Sequence, residues 1–150
     1  MPRPVPAWLD AESVRQLLVI LLDNAIKFSP ERETVEAGCQ ARAHGVLLYV
    51  ADRGPGIPPE QRDQVFERFH RVDPSRTGSG AGLGLAIARW IVSAHGGSIS
   101  LHDNEPGLRV DVDFPGPRAA RGAGLVRRLP RPVHRLWARA SVHEPPIWRR

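Results

Sequence analysis

Apolar residues recur every three or four positions between Val14 and Ala25, which is the spacing of one buried helical face. Asp10 precedes this stretch and can cap a helix, while Ser29-Pro30 follows it and disfavours continuation. The pattern therefore predicts a helix that ends at about Phe28.

A strand pattern follows this helix. Apolar and small residues alternate with polar ones between Val35 and Ala41, and Val46–Val50 is continuously apolar. The segment Asp52–Gly56 contains two glycines and a proline, so it predicts a tight loop after the second strand.

The second half of the chain also contains helix, loop and strand signals. A short helix is expected from Pro58 or Pro59 to near Phe69, and the glycine-rich segment Gly78–Gly84 is expected to be mobile. The last elements are a helix and two strands, which the pattern places at Leu85–Ala94, at Ile99–Leu101 and at Leu108–Phe114.

These elements predict an α+β two-layer sandwich, with a mixed, mostly antiparallel sheet covered on one face by helices. Residues 1–116 are expected to form one domain. From Pro117 onward there are five prolines, nine arginines and no sustained periodicity, so residues 117–150 are expected to be a disordered tail.

The charge distribution changes the interpretation of the composition. The chain has a formal net charge of +5, but the nine arginines and single glutamate of residues 118–150 give that segment +8 and leave −3 for the rest. The basic character therefore belongs to the tail, and nucleic-acid binding through the tail is the less favoured alternative. No specific nucleic-acid partner is expected.

Cysteine and hydropathy patterns point to a cytoplasmic protein. The single cysteine, Cys39, cannot form an intramolecular disulfide. The longest run of large apolar residues, Leu17–Leu22, is far too short to span a bilayer, and no signal peptide is recognisable. A transmembrane segment is therefore not expected.

Two polar residues lie on one edge of the first helix, beside its apolar face. The oxygen of Asn24 is a suitable ligand for Mg²⁺, and the ammonium group of Lys27 can neutralise phosphates. Lys27 is also the only lysine among the 21 basic residues. For either residue taken alone, an ordinary solvated helix edge is the favoured interpretation.

Two glycine-containing loops supply further candidate chemistry. Asp52 precedes Gly54 and Gly56, and its carboxylate could accept a hydrogen bond from the exocyclic amine of adenine, although such a loop is often a plain turn. Gly80–Gly84 runs into a helix, whose free N–H groups could bind an anion. The alternative for this second loop is a simple linker. Neither the Walker pattern nor the dinucleotide fingerprint is present.

The order and spacing of these elements resemble the ATP-binding domain of sensor histidine kinases. "LLDNAIKFSP" resembles the N box, "DRGPGI" the G1 box, "FERF" the F box and "GSGAGLGLAIA" the G2 box. The resemblance extends from about Val5 to Pro115. It implies a Bergerat-type fold, ATP as substrate, Mg²⁺ as cofactor and transfer of phosphate to a histidine.

The resemblance also implies roles for individual residues. Asn24 would bind Mg²⁺, Lys27 would contact the phosphates and Asp52 would hydrogen-bond adenine. Glycines of the G2 box would form the hinge of a lid over the triphosphate, the F-box phenylalanines would anchor its other end, and Arg71 and Arg76 would assist the phosphates. The full implied site comprises Asn24, Lys27, Asp52, Gly54, Gly56, Ile57, Phe66, Phe69, Arg71, Gly80, Gly82, Leu83, Gly84 and Leu85.

The sequence departs from the family at two places. Ile20 occupies a position where the family commonly has an asparagine, so one metal or phosphate contact is missing. Related ATPases of the same fold use a glutamate there to activate water, so ATP hydrolysis is not expected as the main activity.

The second departure is the phosphoacceptor. No His-Glu-x-x-Thr/Asn-Pro motif on a long helix is present, and surface roles are expected for His44, His70, His95 and His102. The usual first strand is also largely absent, so the chain is expected to be a fragment, a truncated product or a separately encoded module. Its partners would be a histidine-bearing dimerisation domain and a response regulator. The alternative function is a catalytically silent ATP-binding module.

Overall fold

The computed structural model describes residues 9–68 and 82–116. Two helices and four strands make up this part of the chain. Two single-turn 3-10 helices, Pro59–Gln61 and Gln64–Phe66, lie between the second strand and the second helix. In chain order the elements are α1 (Ala11–Phe28), β1 (Glu36–Arg42), β2 (Gly45–Ala51), α2 (Gly84–Ala94), β3 (Ser98–Asp103) and β4 (Leu108–Pro115).

Helix α1 begins and ends where the local sequence signals predict. The carboxylate of Asp10 accepts a 2.8 Å hydrogen bond from the backbone N–H of Ser13, which satisfies one of the unpaired donors at the helix start. Ser29, before Pro30, has extended backbone angles and ends the helix. The buried face consists of Leu17, Leu21 and Ala25.

The four strands form one sheet in the order β1-β2-β4-β3, and all three pairings are antiparallel. This agrees with the expected, mostly antiparallel sheet; no parallel pairing occurs among the described strands. Strand β4 lies in the interior of the sheet although it is the last strand of the described chain. The β2–β4 register places Val46 opposite Phe114 and Val50 opposite Val110.

The hydrophobic core lies between one face of this sheet and the two helices. Leu17 of α1, Ile91 and Val92 of α2, and Val112 and Phe114 of β4 are almost completely inaccessible to water. Burying a side chain of this size contributes about 1.5–3 kcal/mol. The same packing holds α1 and α2 side by side on the sheet.

The opposite face of the sheet is mostly polar. Tyr49 lies over Gly38, where an added Cβ would come within 2.7 Å of the tyrosine hydroxyl. The guanidinium of Arg109 stacks 4.3 Å from the centroid of the Tyr49 ring and donates a 2.7 Å hydrogen bond to Asp111. The alternation predicted for Leu108–Phe114 is therefore realised as one apolar and one polar face, whereas the continuous apolar run of β2 also places Leu47, which is buried, on the polar face opposite Asp113.

Two sequence expectations differ from the structure, and two others lie mostly or wholly outside its described part. The short helix expected from residue 58 or 59 to Phe69 is replaced by two 3-10 turns, because Val65 and Phe66 turn toward α2 to pack on the core. Helix α2 begins at Gly84, one residue earlier than expected. The expected behaviour of most of Gly78–Gly84 and of residues 117–150 concerns positions outside the described residues.

Candidate functional site

Asp52 lies at the end of β2 and is the one buried charged residue of the described chain, with a relative exposure of 7%. Its Oδ1 accepts hydrogen bonds from the backbone N–H groups of Gly54 at 2.9 Å and Leu108 at 3.0 Å. Its own N–H donates to the carbonyl oxygen of Leu108 at 2.8 Å. Both of these backbone hydrogen bonds from described residues are accepted by Oδ1.

The hairpin between β3 and β4 holds the backbone of Asp52. The side-chain amide of Asn104 donates a 2.7 Å hydrogen bond to the carbonyl oxygen of Asp52. Gly107 has φ +118°, and an added Cβ would lie 1.9 Å from the same carbonyl oxygen. Only glycine allows this approach, so the hairpin fixes the position of the carboxylate.

The glycines after Asp52 bring the loop against α1 and the hairpin. An added Cβ at Gly54 would lie 2.6 Å from the carbonyl oxygen of Phe28, the last residue of α1. Gly56 has φ +71°, and its Cβ would lie 3.0 Å from the carbonyl oxygen of Gly107. The N–H of Arg53 also donates to Ser29 Oγ at 3.4 Å. The loop is therefore clamped between α1 and the β3–β4 hairpin.

Asn24 lies on α1, one turn before its contact with this loop, and faces the start of α2. An added Cβ at Gly84 would lie 3.6 and 3.9 Å from the side-chain nitrogen and oxygen of Asn24, and 3.3 Å from Cγ2 of Ile20. Lys27 is exposed, with Nζ 5.7 Å from the centroid of the Phe28 ring. Asn24 thus joins the carboxylate end of the site to the start of α2.

The N-terminus of α2 has the properties of an anion site. Its N-cap is Leu83, which provides no side-chain hydrogen bond, and its first turn contains no acidic residue. The first N–H groups of an α-helix have no partner within the helix, and the helix dipole adds a partial positive charge there. Gly82 precedes the N-cap with φ +66°, and Leu85 packs on the core.

Ile57 and Phe66 belong to the segment between β2 and α2. The carbonyl oxygen of Ile57 accepts a 3.1 Å hydrogen bond from Arg62 Nε, and Arg62 also pairs with Asp103 at 2.5 Å. The guanidinium of Arg89 on α2 lies 5.5 Å from the centroid of the Phe66 ring. These contacts fix the described end of the F-box segment.

The structure brings together most, but not all, of the residues expected from the sequence. Gly54, two residues after Asp52, approaches the last residue of α1, and Asn24, one turn earlier on α1, lies beside Gly84 at the start of α2, while Lys27 is exposed on the same helix. Four expected residues lie outside the described residues: Phe69, Arg71, Arg76 and Gly80.

Sequence reasoning missed several residues that position the site. Asn104, Gly107 and Leu108 were interpreted only as a turn and the start of a strand. His95 was expected to have a surface role, but it is half-buried and hydrogen-bonded to two helices. The turn motif Asn-Glu-Pro-Gly was the only local signal for the hairpin, and it does not reveal that the hairpin contacts Asp52.

Other kinds of site find little support in residues 9–68 and 82–116. These residues contain no cluster of three or more acidic, histidine or cysteine side chains that could hold a metal, and none of their helices is long and apolar enough to cross a membrane. An open cavity of about 320 Å³ lies beside the hairpin, but its lining shares no residue with the expected nucleotide site; it comprises Glu33, Thr34, Glu36, Arg53 and Pro106.

Comparison with known proteins gives a consistent family. Residues 9–118 match the model described as "Histidine kinase-, DNA gyrase B-, and HSP90-like ATPase". The chain is 45% identical over 131 residues to the signal transduction histidine-protein kinase/phosphatase MprB of Mycolicibacterium vanbaalenii, covering 83% of this chain and 27% of the relative. It is 40% identical over 108 residues to the sensor histidine kinase CusS of Escherichia coli K12, covering 71% and 22%.

Solved structures agree with these relatives. A mycobacterial sensor histidine kinase MprB superposes with a TM-score of 0.68 at 35% identity, covering 73% of this chain and 76% of that one. Full-length ShkA in complex with AMPPNP gives a TM-score of 0.66 at 34% identity, covering 75% and 24%. The chain spans about a quarter of the length of the curated relatives that it matches. With the same fold, the same ordered motifs and a family match over residues 9–118, the chain belongs to the histidine kinase-, DNA gyrase B- and HSP90-like ATPases.

Proposed function

We propose that this domain binds Mg·ATP and supplies its γ-phosphoryl group to a histidine outside the described residues, as the catalytic domain of a two-component sensor histidine kinase. The observation that carries the proposal is the buried carboxylate of Asp52, held by two backbone donors on Oδ1. The loop that follows Asp52 contacts the end of α1, and the same helix carries Asn24 beside the uncapped start of α2.

The Asp52 carboxylate favours adenine over guanine. Its Oδ2 can accept a hydrogen bond from the 6-amino group of adenine. Guanine carries a carbonyl oxygen at that position, which would face the carboxylate without a proton between them. A buried acceptor left without a donor costs about 1–3 kcal/mol, so this single contact can produce a strong preference.

The start of α2 suits the phosphate end of the nucleotide. Its free N–H groups and the helix dipole favour an anion, and Gly82 and Gly84 leave the backbone open to close approach. Asn24 offers one side-chain oxygen beside this helix start, and Lys27 offers a positive charge at the edge. Mg²⁺ prefers oxygen ligands and commonly takes only one or two from protein, with water and phosphate as the others, so Asn24 fits as its protein ligand.

The transfer step needs an acceptor that the described residues do not provide. The bond between the γ-phosphorus and its bridging oxygen breaks, a bond to an imidazole nitrogen forms, and ADP leaves. Among described histidines, His44 lies in an exposed turn, His102 lies on β3, and His95 is bonded between the helices. We therefore place the acceptor on a dimerisation domain and propose a response regulator as the next partner, in the cytoplasm.

Calorimetric titration with ATP and GTP, each with and without Mg²⁺, tests the binding. The wild-type protein should bind Mg·ATP and bind GTP much more weakly. Asp52→Ala should lower ATP affinity by about tenfold to a hundredfold, which corresponds to the loss of about 1–3 kcal/mol. The matched control is Asp113→Ala, an exposed aspartate on β4 that lies on the polar face. Unchanged ATP affinity in Asp52→Ala would contradict the adenine assignment.

A second candidate, a catalytically silent ATP-binding module, is favoured by Ile20. The family commonly has an asparagine at position 20. The Ile20 side chain, whose Cγ2 methyl group lies beside Gly84, can neither bind a metal nor activate water. Labelled ATP separates the two candidates. Phosphate transferred to an added histidine-bearing dimerisation domain supports the kinase, whereas tight binding without transfer supports the silent module.

A further inference from the structure

His95, directly after α2, links the two helices that carry the site. Its Nε2 lies 3.2 Å from the backbone nitrogen of Asp10, the N-cap of α1, which is 85 positions away. Its Nδ1 lies 2.8 Å from the carbonyl oxygen of Ile91, in the last turn of α2. The ring also packs edge-on against Phe114 of β4, with ring centroids 6.0 Å apart.

These two contacts require one protonation state of the ring. The backbone N–H of Asp10 can only donate, so Nε2 must be the unprotonated acceptor. The carbonyl oxygen of Ile91 can only accept, so Nδ1 must carry the proton. Both bonds therefore exist together only in the neutral tautomer with the proton on Nδ1, since an imidazolium has no acceptor for Asp10.

The link lies at the opposite end of α2 from the nucleotide site. Helices α1 and α2 meet at one end where Gly84 lies against Ile20 and Asn24, and at the other end where His95 meets Asp10. His95 follows Gly84 by eleven positions along the helix, a distance of about 16 Å. Apolar packing of Leu17 and Leu21 with Ala88 and Ile91 already holds the two helices side by side, and the contact of His95 with Asp10 adds a directional polar constraint at the end away from Gly84.

We propose that His95 is a positioning residue, which fixes α2 relative to α1 and thereby holds the phosphate-binding start of α2 beside Asn24. The inference rests on the proposed function for its consequence in nucleotide binding. The link itself depends only on the contacts of His95 with Asp10 and Ile91.

Three substitutions separate the link between helices from the local end of α2. His95→Asn keeps an amide donor near the position of Nδ1 for Ile91, but it is too short to reach Asp10. His95→Gln places an amide oxygen near the position of Nε2, where it can accept from Asp10. His95→Ala removes both contacts. If His95→Ala does not fold, the comparison of asparagine with glutamine still decides the question.

The expected result is rescue by glutamine alone. His95→Asn and His95→Ala should weaken Mg·ATP binding about threefold to tenfold, the range expected for one net hydrogen bond, while His95→Gln stays within about twofold of wild type. A helix-ending role alone would instead be rescued by asparagine. Asparagine binding Mg·ATP as tightly as wild type would overturn the proposal.

Nuclear magnetic resonance gives a readout that needs no nucleotide. The ¹⁵N resonances of the His95 ring should show a protonated Nδ1 and an unprotonated Nε2. The amide resonances of Gly84 and the side-chain amide of Asn24 should shift in His95→Asn but not in His95→Gln, since both lie too far from residue 95 for a direct effect. Unshifted resonances or a protonated Nε2 would overturn the link. If wild type fails to bind ATP while these shifts appear, the proposed function is wrong and the link stands.

Discussion

The side-chain amide of Asn104 lies 2.7 Å from the carbonyl oxygen of Asp52 and donates a hydrogen bond to it across 52 residues of sequence. The carboxylate of the same aspartate accepts hydrogen bonds from two backbone N–H groups. Asn104 therefore controls the orientation of a residue whose side chain it does not touch.

Replacing Asn104 should weaken adenine recognition. Asn104→Asp is nearly isosteric but puts a carboxylate oxygen against a carbonyl oxygen, so it should lower ATP affinity more than Asn104→Ala does. The alanine variant should lose about threefold to tenfold, the range expected for one net hydrogen bond. The ratio of ATP to GTP affinity, measured by calorimetry, should fall in both variants. An unchanged ratio would show that the hairpin supports the fold without positioning Asp52.

Gly107 should be among the glycines least tolerant of substitution. Its φ of +118° and a clash of 1.9 Å with the Asp52 carbonyl both oppose a side chain, so Gly107→Ala should cost about 2–4 kcal/mol. Gly96→Ala is the control, because Gly96 has φ +69° but its added Cβ would meet only Pro115 at 3.7 Å. Urea unfolding should show a clearly larger loss for Gly107. Equal losses would remove the role assigned to the close approach.

Ile20 should limit the response of the site to magnesium. Ile20→Asn adds an oxygen and an amide beside Asn24 and Gly84, so it should increase the ratio of ATP affinity with Mg²⁺ to that without it. Ile26→Asn on the same helix, where Ile26 is 66% exposed, should leave this ratio unchanged. Titrations with and without the metal provide the measurement, and no difference between the variants would argue against a metal site next to residue 20.

Asp10 should contribute stability that depends on pH. Hydrogen bonds from the side chain and the backbone N–H of Ser13 hold the pKa of Asp10 below its ordinary value. Because the folded-state pKa is lowered, the stabilisation is present above the ordinary aspartate pKa of about 4 and is lost as the pH falls through the folded-state pKa. The melting temperature of wild type should exceed that of Asp10→Asn at neutral pH, and the gap should close in acid. A gap that persists at low pH would contradict this origin.

Residues 118–150 should be dispensable for nucleotide binding. Their nine arginines and the absence of a periodic apolar face give no reason for a contribution to the site. Deleting them should leave ATP affinity and the melting temperature nearly unchanged. Any affinity of the full chain for nucleic acid should fall steeply with increasing salt and should be absent from the deletion variant. Fluorescence of Trp137 and Trp148 provides a check. If the segment is disordered, quenchers should reach both indoles, whereas indoles packed on the domain would resist them. Unfolding on deletion would show that this segment is structural.

Local signals were sufficient for α1, α2 and the four strands. Asp10, the apolar spacing of α1 and Ser29-Pro30 act within a few residues of one another, so the helix bounds follow from the sequence. The prediction of a helix after Pro59 was wrong because Arg62 pairs with Asp103 and Val65 packs into the core. These distant contacts overrule local helix preference.

The site was predictable only where a residue carries its own chemistry. Asp52 and Asn24 were predicted as site residues from their type and motif, and their roles stay predictions. The contacts of Asn104 with Asp52 and of His95 with Asp10 join segments 52 and 85 residues apart, and nothing in the local pattern specifies such partners.

The strand order β1-β2-β4-β3 also has a consequence for synthesis on the ribosome. Strand β4 pairs with both β2 and β3, so neither β3 nor the exposed side of β2 can complete its hydrogen bonds until Leu108–Pro115 has emerged. The nascent chain must therefore carry a two-stranded hairpin and two amphipathic helices without a finished sheet to pack on. Chaperones would meet this protein before β4 appears, and a chain stalled between β3 and β4 would be a substrate for proteolysis although every nucleotide-binding motif is already present.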